Sequence, residues 1–246
     1  MSRPILVTGA SRGIGAAVAR AAADRGHDVA LGYLDHPEGA ASVTSEIELS
    51  GRRAVAIRAD LKDGDAARRL VAESEEELGP LYGIVNNAGI MPETPFLEIR
   101  PSEWEEVIAT DLTALYHTCQ AVLPGMLERG EGVIVNISSR LGQIGCAGVV
   151  HYAAAKAGVL GFTKSLSREF GPRGIRVNAV APGVTLTEMS TNVATGAEGA
   201  RRLAELPSGR FAEPEDVAAA VVFLLSDEAA MFHGQTLNPN GGGFMP

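Results

Sequence analysis

The chain has 246 residues, 46% of them hydrophobic and 21% charged, which excludes disorder as the main state and supplies apolar material for one large core. Its formal net charge of −9 argues against nucleic acid or an anionic membrane as the main partner, leaving a small molecule as the expected ligand. Cys119 and Cys146 stand in no metal-ligand or CxxC spacing, so neither a disulfide framework nor a metal site is expected, and a reducing cytosol is the expected compartment.

The sequence passes from Ser2-Arg3-Pro4 straight into an apolar run at 5–7, which predicts a first strand with no targeting segment ahead of it. Directly after it, "TGASRGIG" (8–15) leads into a helical pattern over 16–25. In that order Gly9 can make the tight turn, Gly13 lets the backbone approach a phosphate, and Gly15 lets the helix pack closely on the strand. A pyrophosphate is expected at the helix N-terminus, where free N–H groups favour an anion. The second apolar run, 29–31, continues through Gly32, Tyr33 and Leu34 with no acid before Asp35, while Arg12 stands in the glycine loop. Lack of an acid for the ribose hydroxyl, with an arginine nearby, favours NADP; NAD stays open through Asp35.

Runs at 55–57, 84–85, 133–137 and 177–180 predict further strands, and longer segments rich in Ala, Glu, Arg and Leu predict helices between them. Nearly apolar strands separated by helices describe an α/β parallel sheet covered on both faces, in one domain over 1–246. Gly26, Gly51 and Gly79 each follow a helical pattern where a left-handed terminating residue is wanted. Glu75-Glu76-Glu77 reads as a solvated helix face. The stretch "NNAGIMPETPF" (86–96) sets two amides at a strand tip, and "PSEWE" (101–105) offers a capping box with Ser102 at the N-cap and Glu105 three residues on. Ser138 and Ser139 end the 133–137 strand. Tyr152 and Lys156 then fall four apart on one helix face, so that the ammonium can favour the anion of a phenol whose ordinary pKa is about 10. Glu213-Pro214-Glu215-Asp216 opens a last helix whose apolar run, 217–225, is too short to span a bilayer.

On these residues the whole chain resembles the single-domain short-chain dehydrogenase/reductases. The matching motifs are TGASRGIG (8–15), Asp60-Leu61, NNAG (86–89), Ser139 ahead of Tyr152, YAAAK (152–156), and Pro182-Gly183 with Thr187, in the family's order. The resemblance implies a Rossmann-type doubly wound sheet of about seven strands. It implies cofactor contacts from Gly9, Ser11, Arg12, Gly13, Ile14 and Gly15 in the first loop, and from Tyr33 and Leu34 after the second strand. Asp60, Leu61, Asn87, Ala88 and Gly89 follow, the last three on the nicotinamide ribose side, with Pro182, Gly183, Val184, Thr185 and Thr187 after the sixth strand. In the implied mechanism Ser139 donates to the substrate carbonyl, Tyr152 is the general acid, and Lys156 holds the ribose and lowers the pKa of Tyr152. The family usually has Asn where this chain has Asp111, which implies a modified proton relay.

The ending and the 151–184 stretch are nearest the 3-oxoacyl-[acyl-carrier-protein] reductases, implying a small or carrier-bound carbonyl substrate. Sugar, polyol or secondary-alcohol dehydrogenases and a non-catalytic nicotinamide-binding protein are the alternatives. Enoyl reductases carry a longer Tyr-to-Lys spacing, and epimerases need more C-terminal structure. A lid is expected over 185–210, and a homotetramer or homodimer formed through the fourth and fifth helices and the C-terminal strand, with 217–225 and Gly241-Gly242-Gly243 against a twofold mate. Ser138, His117 and His151 are read as structural, Arg201 and Arg202 as exposed helix charges with contact to an acidic carrier or a phosphate as the alternative, Trp104 and Phe96 as packing at the fourth helix with Phe96 also able to border the substrate, and Met189 as lid or core filler.

Overall fold

The computed structural model describes residues 3–245. Strands β1 (Ile5–Thr8), β2 (Val29–Tyr33), β3 (Ala54–Arg58), β4 (Gly83–Asn86), β5 (Gly132–Ile137), β6 (Ile175–Val180) and β7 (Thr236–Leu237) form one parallel sheet in the order β3-β2-β1-β4-β5-β6-β7. Ile5 lies opposite Val29 on one side and Gly83 on the other, so the chain turns outward in both directions from β1. A crevice opens at such a switch, beyond the carboxyl ends of the strands.

Helices α1 (Gly13–Asp24), α2 (Pro37–Leu49), α3 (Gly64–Leu78), α4 (Pro101–Ile108), α5 (Ala114–Arg129), α6 (Leu141–Ile144), α7 (Val150–Phe170), α8 (Thr191–Ala194), α9 (Gly196–Ala204) and α10 (Pro214–Leu225) make the crossovers and the 185–210 segment. Successive strand residues point to opposite faces, and both faces are apolar here. Ile5 and Val7 pack with Val18 of α1 and Val221 of α10, whereas Leu6, between them, packs with Leu70 of α3 and Met126 of α5. Burying a side chain of this size is worth about 1.5–3 kcal/mol, so a strand buried on both faces contributes twice. A buried polar ladder crosses the second face. Thr118 Oγ1 donates to Asn86 Oδ1 (2.7 Å), Asn86 Nδ2 to Asn136 Oδ1 (2.8 Å) and Asn136 Nδ2 to Thr163 Oγ1 (2.9 Å). It fixes the tips of β4 and β5 against α5 and α7, the helix that carries Tyr152 and Lys156.

Three expectations need correction. The capping box at Ser102 does not form: Arg100 is the N-cap and Pro101 the first helical residue, so the helix starts before Ser102 can cap it. The apolar residues of 217–225 are used inside the chain, Val217, Val221 and Leu224 being fully buried against α1 and the sheet, and are not reserved for a mate. Phe96 and Trp104 are exposed rather than packed. A capping box not expected from the sequence forms instead between Glu213 and Asp216, whose carboxyl Arg210 holds down at about 2. Among the described residues no helix is long and apolar enough to cross a membrane.

Candidate active site

A cleft of about 1560 Å³ runs along the carboxyl edge of the sheet. Every cofactor or catalytic residue expected from the sequence lines it except Gly15, which packs behind the loop. The glycine loop is shaped by close approach: a Cβ on Gly15 would stand 2.2 Å from the Gly9 carbonyl oxygen, and one on Gly9 2.9 Å from Cα of Ala88. Gly9 also has φ +63°, in the left-handed region. Helix α1 therefore begins hard against β1 and opens its N-terminus on the cleft, with no acidic side chain in its first turn to compete for an anion. These features fit the pyrophosphate of a dinucleotide.

Thr8 ties this loop to the tip of β4. Its Oγ1 accepts from the main-chain N–H of Asn87 (2.9 Å) and Ala88 (3.1 Å), and Asn87 Nδ2 donates back to the carbonyls of Thr8 (3.0 Å) and Gly9 (3.1 Å). The Asn87 amide nitrogen is thus committed to holding the loop. At the outer end Tyr33, Leu34, Asp35 and His36 line the wall, and Arg12 pairs with Glu188 across the mouth. Asp60 Oδ1 accepts from Lys62 N (3.1 Å), while the Leu61 carbonyl meets His117 Nδ1 (3.0 Å).

At the inner end β5 delivers the two serines. Ser138 Oγ donates to the Lys156 carbonyl (2.7 Å), a main-chain brace, whereas Ser139 Oγ accepts from Leu141 N (3.1 Å) and lies beside the Tyr152 phenol. Tyr152 and Lys156 project from the same face of α7, with Nζ 5.6 Å from the centre of the Tyr152 ring. Lys156 Nζ donates to the Ile137 carbonyl (3.1 Å) and stands 3.2 Å from Asp111 Oδ2, off the line of an aligned hydrogen bond. Asp111 is fully buried in a π-helical turn, Ala109–Thr113, between α4 and α5; its Oδ1 accepts from Ile90 N (2.8 Å). A Cβ on Gly89 would meet Oδ2 at 2.8 Å, so the glycine makes room for the carboxylate.

Burial pushes the Tyr152 phenol above its ordinary pKa; Lys156 opposes this and Asp111 adds to it. The expected lowering by Lys156 is real as a component, but desolvation outweighs it. Burial works against the Lys156 ammonium too, yet Asp111 and Tyr152 more than compensate, so its pKa is raised. For Asp111 burial raises the carboxyl's pKa against the pull of Lys156 and the Ile90 N–H. His151, fully buried, accepts the Tyr152 N–H on Nδ1 (3.0 Å) and meets Glu103 Oε1 through Nε2 (3.2 Å), a packing and anchoring role. Cys119 is buried with its thiol pushed up to about 12, so it is inert.

Past β6, the Pro182 carbonyl accepts from Arg140 N (3.0 Å), Thr185 Oγ1 donates to the Gly183 carbonyl (3.3 Å), and Val184 lines the wall. Thr187 caps a short turn through Ser190. Ile90 and Ile137 carry no signal of their own in the sequence, because they act through the main chain; Thr8 stands in the 8–15 motif, but its tie to Asn87 and Ala88 is a contact distant in sequence.

A family model described as "Enoyl-(Acyl carrier protein) reductase" matches residues 9–243. The chain is similar to the 3-oxoacyl-[acyl-carrier-protein] reductase FabG of Staphylococcus aureus, 40% identical over 245 residues and covering 100% of this chain and 99% of that protein. It is 42% identical over 244 residues to the acetoacetyl-CoA reductase of Shinella zoogloeoides, covering 99% of each. In structure it is similar to a blue fluorescent protein from a metagenomic library in complex with NADPH, with TM-score 0.93, 36% identity, and 99% of this chain and 98% of that one covered.

Proposed function

Because the chain belongs to the short-chain dehydrogenase/reductase family and is an oxidoreductase of the 3-oxoacyl reductase type, we propose that it reduces a ketone or 3-oxoacyl thioester to the secondary alcohol with NADPH. The observation that carries this reading is the meeting of Ser139, Tyr152 and Lys156 on the wall of a cleft whose other end is a phosphate-shaped glycine loop. The glycine loop and α1 would hold the dinucleotide's phosphates, and Asn87 to Gly89 with Pro182 to Thr187 would border its nicotinamide half. Bound there, the reduced cofactor supplies hydride. Ser139 Oγ donates a hydrogen bond to the substrate carbonyl oxygen, and the Tyr152 hydroxyl gives that oxygen a proton. A phenol whose pKa burial has raised is protonated at neutral pH and ready to donate. Lys156, held by Asp111 and the Ile137 carbonyl, keeps a positive charge beside the phenolate that results. In the alcohol-oxidising direction the same groups act in reverse.

NADP is favoured by Arg12 beside the adenosine end and by the NADPH bound in the similar solved structure. The 185–210 segment is the proposed lid. Enoyl reduction, named by the family description, is a second reading; the four-residue step from Tyr152 to Lys156 and the two carbonyl-reducing relatives favour the carbonyl. The test is loss of NADPH absorbance with an acetoacetyl thioester against an enoyl thioester. Turnover of the first, abolished in Tyr152→Phe, supports the proposal; turnover of the second alone sinks it.

A further inference from the structure

Helix α7 starts without a side-chain cap at its N-cap residue. That residue is Val149, buried with Tyr152, Ala155 and Val107 of α4 in one apolar cluster, and a valine side chain can accept nothing from the free N–H groups of the first turn. The first helical bond runs from Ala153 N to the Val149 carbonyl (2.9 Å), which leaves the main-chain N–H of Tyr152 to find a partner elsewhere. His151 supplies it, Nδ1 accepting from Tyr152 N at 3.0 Å. A main-chain N–H can only donate, so Nδ1 carries no proton and the hydrogen of the ring lies on Nε2. Nε2 in turn stands 3.2 Å from Glu103 Oε1, in the first turn of α4. Hydrogen bonds from Thr94, the larger effect, and from His151 hold the Glu103 carboxyl below its ordinary pKa, so it is ionised and can only accept. Thr94 N also donates to the Gly148 carbonyl (2.8 Å), and the ring of contacts closes on the start of α7. His151 has no exposed surface within it. A buried imidazole with each nitrogen committed to an unlike partner is held in one tautomer and one orientation.

We infer that His151 is a positioning residue for Tyr152: as its Nε2–H tautomer, aimed by Glu103, it fixes the first turn of α7 and through it the place of the phenol. This rests on the proposed function, in which Tyr152 gives the proton. Lys156, one turn on, is fixed independently by Asp111 and the Ile137 carbonyl, so a loosened first turn would move the phenol against its lysine instead of carrying both together. Proton transfer needs that alignment, and a misplacement of about 1 Å can cost about 10²-fold in rate.

The test measures kcat for reduction of an acetoacetyl thioester and the Kd of NADPH in the parent, His151→Phe, His151→Asn and Glu103→Ala, each below its own unfolding midpoint. His151→Phe keeps a ring and removes both nitrogens, so kcat is expected to fall by about 10–10²-fold with the NADPH Kd unchanged. His151→Asn, whose Oδ1 can take the place of Nδ1, should regain part of that loss, a rescue that filling the core alone would not give. A parent-like kcat in His151→Phe, an equal fall in both variants, or a loss of NADPH affinity that matches the fall in kcat overturns the inference. Should His151→Phe not fold, Glu103→Ala is read in its place: a lower kcat at unchanged NADPH Kd is expected, and a parent-like kcat overturns the inference. If the parent turns over no substrate, the nitrogen NMR spectrum of its imidazoles, with His151 assigned by its loss in His151→Asn, separates the two ideas. A neutral ring protonated on Nε2 keeps the positioning role and puts the failure on the proposed function; a proton on Nδ1, or on both nitrogens, overturns the inference.

Discussion

Tyr152 lies under four influences: burial and the Asp111 charge favour its neutral form, and Lys156 and the hydrogen bond with Ser139 favour its anion. Tyr152→Phe keeps the ring and removes the proton, so kcat for ketone reduction is expected to fall by about 10²–10⁴-fold with NADPH binding retained, read by steady-state kinetics and fluorescence titration. Asp111→Asn removes a charge that raises both Tyr152 and Lys156. The phenolate needed for alcohol oxidation then forms at lower pH, and the rising limb of the oxidation profile is expected to move to lower pH. An unchanged profile would exclude the carboxylate from the relay. A raised folded-state lysine pKa contributes stability that is complete below the unfolded value of about 10.4 and is lost as pH rises through the folded one. The same variant should therefore begin alkaline unfolding earlier. Ser139, Tyr152 and Lys156 are legible in sequence because their chemistry depends on residue type and a four-residue helical step. The contact of Arg140 Nη1 with the Gly243 carbonyl is not legible, since the two lie far apart along the chain.

At the scale of elements, the sites are set by how segments start and stop. Gly15→Ala would drive a Cβ into the Gly9 carbonyl at 2.2 Å, so the loop must move. NADPH affinity is expected to fall at least about tenfold, measured by titration, because the phosphate donors are displaced with it. Arg176 does the opposite service at the far end of α10: its guanidinium donates to the carbonyls of Leu224 (2.7 Å) and Leu225 (3.3 Å), which lack a partner within the helix, and to those of Ser226 (2.9 Å) and Ala229 (3.3 Å) just beyond it. Arg176→Ala is expected to cost about 2–3 kcal/mol, seen as a lower denaturant midpoint with activity kept below it. Helix ends marked by glycine were readable: Gly26, Gly51 and Gly79 all have positive φ. The start at Pro101 was not, because a proline in the first turn and a serine one residue later give competing signals. Nor does any local pattern announce the π-helical turn that buries Asp111, since inserting a residue into a helix leaves the composition ordinary.

For the whole molecule, six strands and the two-faced sheet follow from short apolar runs alternating with helical periods. β7 has two residues and no pattern to read; it exists through pairing with Ala179 and Val180. The 217–225 run looks the same in sequence whether it faces a mate or its own α1, and packing decides for α1. What stays open to solvent lies elsewhere: Phe96 is 63% exposed and Leu97 94%, near Trp104 of α4, with Tyr116 of α5 at 47%. If the proposed oligomer forms through these helices, sedimentation should give more than the monomer mass, and Tyr116→Arg should reduce it; a monomeric parent rules the assembly out.

The order of the strands also dictates when the chain can become a sheet. β2 and β3 can join β1 early, but the other edge of β1 waits for β4, Ile5 meeting Gly83 only after three helices have been made. Closing so long a loop is entropically costly before its contacts reward it, and it sets the pace of folding. During synthesis the exposed edge of β1 is therefore the stretch most open to pairing with the wrong chain until β4 emerges and covers it.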